Sequence, residues 1–110
     1  MSTIKSTREI DTVFRSASRF AHPLVIALVM STPEGRGQEG RVAFVAGRKL
    51  GGAVLRNRCK RVLREAVRRR GHAWGGRDVV LIARLGTATA SPAALDGALS
   101  TVLAKAGIGQ

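Results

Sequence analysis

The chain of 110 residues contains a single cysteine, Cys59, which excludes an internal disulfide and a multi-cysteine zinc site. It has no tyrosine, one tryptophan and three phenylalanines, so aromatic surface for stacking is scarce. Acidic residues number seven against nineteen Lys and Arg, and they are scattered. No two of them are spaced for two-metal hydrolysis or for a glycosidase carboxylate couple. His22 and His72 lack partners at metal-ligand spacing, and no Ser-His-Asp set stands out. No apolar run approaches the roughly 20 residues that cross a bilayer. The opening MSTIKSTREIDTVF has no apolar core of the signal-peptide kind. These absences argue against self-contained catalysis and membrane insertion, and they fit a binding protein of the cytoplasm.

What the chain has in excess is positive charge. A formal net charge of +12 costs self-repulsion in the compact state, which a polyanionic partner relieves. Hydrophobic content of 45% is enough for one modest core, so a single domain over 1–110 is expected. The charge is concentrated in Gly47 to Arg70, GRKLGGAVLRNRCKRVLREAVRRR, which holds ten of the nineteen cations and one acid, Glu65. Leu55, Cys59, Val62, Leu63, Ala66 and Val67 recur there at spacings of three and four, the mark of one helix face. Asn57, Arg61, Arg64 and Arg68 fall on the opposite face. Solvated faces normally mix signs for support between neighbouring turns, whereas this stripe stacks like charges. It therefore reads as a phosphate-binding face, with arginine forks suited to bidentate contact. GRKLGG lacks the order of a phosphate-binding P-loop.

Around this helix, expected over 54–70 and capped by Gly71, the other elements follow from local pattern. Ser6 or Thr7 followed by Glu9 starts a helix over about 6–17, with Ile10, Val13, Phe14 and Ala17 on one face. Leu24–Met30, Arg41–Ala46 and Asp78–Leu85 read as strands, with a further short one over Ser18–Ala21. Pro23 tolerates only an edge or strand-start position. An antiparallel hairpin across the loop Ser31–Gly40 is the simplest pairing of the first two. Ser91-Pro92 opens a last helix to about 105. The result is α+β, in the order α-β-β-β-α-β-α, with helices packed on a mostly antiparallel sheet. Cys59 reads as a buried structural thiol and Phe44 as core, while Trp74 could pack over the helix end or stack on a base.

At Arg48-Lys49-x-Gly51-x-Ala53-Val54-x-Arg56-Asn57-Arg58-x-Lys60-Arg61-x-x-Arg64-Glu65 the sequence resembles the protein subunit of bacterial ribonuclease P. The likeness runs from REIDTVFR through DVVLIAR. It implies a two-layer sandwich like domain 2 of ribosomal protein S5, with a left-handed β-α-β crossover through the central helix. It implies that a catalytic RNA subunit, acting with Mg2+, removes the 5′ leader of precursor tRNA, and that this protein binds both RNAs. No membrane and no obligate protein partner are implied. By matching position the RNA-subunit contacts are Arg48, Lys49, Arg56, Asn57, Arg58, Lys60, Arg61 and Arg64, and Arg68 continues that face. The leader would lie between the first helix and the sheet, against Ile10, Phe14, Ala27 and Val45. Many relatives carry an aromatic at the Ile10 position and some at the Ala27 position, so weaker base stacking is expected. Composition fits a structural RNA-binding protein of ribosomal type equally well; the Arg56–Glu65 spacing separates the two.

Overall fold

The computed structural model describes residues 2–4, 6–35, 39–71 and 74–108. His72 and residues 36–38 of the loop before Arg41 lie outside them. The described elements are β1 (Ser2–Thr3), α1 (Thr7–Ser16), β2 (Ser18–His22), β3 (Val25–Ser31), β4 (Arg41–Val45), α2 (Ala53–Arg70), β5 (Arg77–Ala83) and α3 (Pro92–Lys105). Short 3₁₀ turns over Arg48–Leu50 and Thr87–Thr89 precede α2 and α3. The expected order is present with one addition, the two-residue β1.

Local chemistry sets the helix ends. The Ser6 hydroxyl accepts from the Glu9 N–H at 3.4 Å at the head of α1. Ser91 accepts from Ala94 N–H at 3.1 Å, with Pro92 filling the first helical position of α3. Gly71 closes α2 at φ 69°, the left-handed conformation that glycine reaches without a Cβ penalty. Pro23 sits in the two-residue turn between β2 and β3. There the Leu24 N–H donates to His22 Nδ1 at 3.0 Å, and the Thr87 hydroxyl donates to the Leu24 carbonyl at 2.6 Å.

The strands form one sheet in the order β1-β4-β5-β3-β2. β5, apolar on both faces, takes the centre, antiparallel to β3 and parallel to β4. This corrects the expected hairpin: β3 and β4 do not pair, because β5 lies between them. The sheet is accordingly mixed, with β1–β4 and β4–β5 parallel and β2–β3 and β3–β5 antiparallel. A crossover through α2 joins the parallel neighbours β4 and β5.

Alternation along the strands gives the sheet two faces. One carries Val25, Ala27, Val29, Val79 and Leu81 and is covered by α2 and α3, which contribute Leu63, Leu99 and Leu103 to the main core. The other carries Ile26, Leu28, Ala43 and Val80 and meets Val13 of α1 and Ile4 in a smaller core. Trp74 is buried in the main core at 3% exposure, and its indole N–H donates to the Arg41 carbonyl at 3.1 Å, so it packs against the start of β4 and does not offer its ring for stacking.

At one end of the sheet Arg41 and Asp78 are register partners and both are buried. Arg41 Nε donates to Asp78 Oδ1 at 2.9 Å and its NH2 to Oδ2 at 2.6 Å, and NH2 also pairs with Glu9 Oε2 at 2.7 Å. Thr32 Oγ1 donates to Asp78 Oδ1 at 2.9 Å. Removing one partner of a buried pair strands the other charge, a loss of about 3–5 kcal/mol. Asp78→Ala is expected to destabilise the chain by about that amount, read as a lowered urea midpoint.

A polycationic helix and an open sheet face

α2 docks through Cys59, Leu63, Ala66 and Val67, all buried, with Val62 half-buried. Leu55 departs from the expected stripe: it is 39% exposed, and Val54 before it is 86% exposed. The first turn of the helix does not reach the sheet. Leu55 instead folds back on Gly51, where a Cβ would stand 2.9 Å from Leu55 Cδ2.

Away from the core, Asn57, Arg61, Arg64 and Arg68 are all exposed, as the periodicity requires. The Arg64 guanidinium lies 5.2 Å from the Phe44 ring centroid, a cation–π contact that braces the stripe against β4. Phe44 is therefore only half-buried and shared between core and charged face, a correction to its reading as simple core. Arg58 Nε donates to the Ala88 carbonyl at 3.3 Å, tying the helix to the 3₁₀ turn before α3. Lys60 and Arg56 are half-buried, and Arg48 and Lys49 are exposed in the 3₁₀ turn that leads into α2. Gly52 offers no side-chain cap, and the first turn holds no acid, so its free N–H groups add to the attraction for anions.

The last turn is different. Arg69 NH2 pairs with Asp96 Oδ1 at 2.8 Å, and Arg70 NH1 donates to Ser100 Oγ at 3.2 Å. The Asp96 hydrogen bond raises the Arg69 pKa, with burial opposing it. These two cations face α3 and lie outside the stripe.

The second surface is the sheet face that α1 covers incompletely. Ile10 is half-buried and Phe14 is 48% exposed. Val45 and Ile82 are half-buried partners in the ladder, and Ile26 continues the row across β5. Ile10, Val45 and Ile82 all pack on the smaller core, so they share one side. Ala27 does not join them. It is fully buried in the main core, in register with Leu81, which is itself opposite Phe44. The expected set Ile10, Phe14, Ala27 and Val45 mixed two faces, because adjacent strand positions alternate. Pattern reading also missed Ile26 and Ile82. The signal was available in the strand parity, once β5 was placed between β3 and β4.

The arrangement defines a small basic α+β protein, with an exposed arginine stripe on one side of a sheet and an incompletely covered apolar face on the other. Comparison with known proteins narrows the class: the model of the family described as Ribonuclease P matches residues 1–107. A relative named ribonuclease P protein component, from Dehalococcoides mccartyi (strain CBDB1), is 38% identical over 100 residues, covering 91% of this chain and 80% of the relative. The solved RNase P protein of Staphylococcus aureus superposes with a TM-score of 0.80 at 23% identity, covering 96% of this chain and 95% of its own. That of Thermotoga maritima gives 0.79 at 23% identity, covering 96% and 97%. At such identities the two structures establish the fold. The chain belongs to the ribonuclease P protein family, whose members are protein subunits of the nuclease that matures tRNA.

The face assignment is open to a paired substitution. Ala27→Phe is expected to overpack the main core at a cost of about 1–3 kcal/mol, while Val45→Phe, beside open space, costs less. Thermal melts of the two variants provide the comparison.

Proposed function

We propose that the chain holds the catalytic RNA subunit of ribonuclease P with α2 and the single-stranded 5′ leader of precursor tRNA with the groove beside α1. The observation that carries this reading is the separation of the two surfaces by the sheet: one side carries the arginine stripe of α2, the other is apolar and partly open. Folded RNA presents dense phosphate, which suits Arg48, Lys49, Arg56, Asn57, Arg58, Lys60, Arg61, Arg64 and Arg68. An unpaired leader exposes base faces, which suit an apolar platform beside basic walls. Ile10, Phe14 and Val45 are the proposed leader contacts, with Ile82 taking the place first given to Ala27.

The protein's share of the chemistry is electrostatic. Its cations offset phosphate repulsion as substrate and RNA subunit come together, so less divalent ion is needed for the same association. Among the described residues no cluster of three or more His, Cys, Asp or Glu occurs, and Glu9, Asp78 and Asp96 are each paired with arginine. Mg2+ is proposed to act mainly through the RNA subunit. No helix among the described residues is long and apolar enough to cross a membrane, and the proposed place of action is the cytoplasm, with the tRNA precursors.

The decisive assay is cleavage of precursor tRNA by the RNA subunit across a magnesium series, with and without the protein. Stimulation at low magnesium is expected; equal rates with and without it would sink the proposal. Arg61→Ala combined with Arg68→Ala is expected to weaken RNA-subunit binding and to reduce the slope of log K against log salt by about two. Phe14→Ala is expected to lower affinity for precursor tRNA more than for mature tRNA, and equal losses would assign Phe14 to the core.

A further inference from the structure

α1 is one wall of the proposed groove, and little apolar packing holds it. Of its ten residues only Val13 is fully buried, while Ile10 is half-buried and Phe14 is largely exposed. A helix this short is marginal on its own. At its N-terminal end a cavity of about 130 Å³ lies between helix and sheet, lined by Glu9, Thr12, Val13, Met30, Arg41 and Asp78. Close packing therefore does not fix that end.

An ion pair does. Glu9, with a side chain 21% exposed, reaches Arg41 NH2 at 2.7 Å. Arg41 is itself anchored: two hydrogen bonds hold it to Asp78, and its carbonyl accepts from the Trp74 indole N–H. The Asp78 hydrogen bonds raise the Arg41 pKa, burial opposes them, and Glu9 adds to the rise, so the guanidinium stays charged. Glu9 thus connects α1 to a fixed point in the sheet, one residue before Ile10 and five before Phe14.

We propose that Glu9 is a positioning residue for the groove: through Arg41 it sets the tilt of α1, and so the span between the Ile10–Phe14 wall and the Val45–Ile82 floor. This rests on the reading of that groove as the leader site. Glu9 touches no RNA in this role, and it acts through helix placement alone.

The test uses the full chain reconstituted with the RNA subunit, and it compares affinity for precursor tRNA with affinity for mature tRNA. Glu9→Gln removes the charge, keeps the shape and leaves the Arg41–Asp78 pair to maintain the fold. Glu9→Asp keeps the charge with a shorter reach, and it supplies the same comparison should the Gln variant fold poorly. The expected result for Glu9→Gln is a loss of about fivefold in the precursor-to-mature preference, the scale of a partly exposed ion pair. Affinity for the RNA subunit should be unchanged, and α1 amides should exchange faster than those of α2. Preference lost in Phe14→Ala but kept in Glu9→Gln and Glu9→Asp overturns the positioning role and leaves the groove standing. Preference kept in all three variants removes the groove reading and this inference with it. A fall in RNA-subunit affinity in step with the leader preference would make Glu9 merely structural, and that too overturns the proposal.

Discussion

The fold depends on keeping one guanidinium charged inside protein. Removing Arg41 from water is costly unless its donors are matched, and the match draws on four separate parts of the chain. Asp78 supplies both carboxylate oxygens from the neighbouring strand, Glu9 comes from α1, Thr32 completes Asp78 from the end of β3, and Trp74 caps the Arg41 carbonyl. Gly40, just before, has φ 89°, and a Cβ there would stand 2.5 Å from the Trp74 carbonyl oxygen. Trp74 can approach the chain this closely only because that position is glycine. Register between β4 and β5, the return of the chain after α2 and the placement of α1 all pass through this cluster.

From that fixed end the sheet separates two chemistries. α2 and α3 bury one face under aliphatic side chains and leave the arginines of α2 outside, where phosphate can approach them. α1 shelters only part of the other face and leaves Ile82 and Val45 partly open. The division runs through single strands. Phe44 meets Arg64 on the helix side, and Val45, the next residue, faces the groove. The charge is also trimmed: the arginines nearest α3 are drawn into Asp96 and Ser100, so the cationic surface ends before the helix does.

Local features were legible in the sequence because local physics makes them. Ser6, Ser91-Pro92 and Gly71 bound their helices as caps should, and the buried stripe of α2 follows its periodicity from Cys59 onward. The family motif was legible because its basic residues keep a long fixed spacing. What escaped were facts of pairing. Nothing within Leu24–Met30 or Arg41–Ala46 says that a strand more than thirty residues further on inserts between them. The apolar run of β5, without alternation, was the one clue that it would be central. The misplacement of Ala27 followed from that gap, since a face is defined only once the neighbour is known. Leu55 escaped for a different reason: periodicity gives direction around a helix, not how far the supporting sheet extends beneath it. The Arg41 cluster had no local signature, its members being drawn from residues 9, 32, 41, 74 and 78.

The burial of Cys59 has a practical side. It is 2% exposed on the packed stripe of α2, and it is the chain's only thiol. A buried thiol is chemically quiet. A water-soluble alkylating reagent therefore reaches sulfur only when α2 lifts from the sheet, and its labelling rate clocks that opening with no engineered probe.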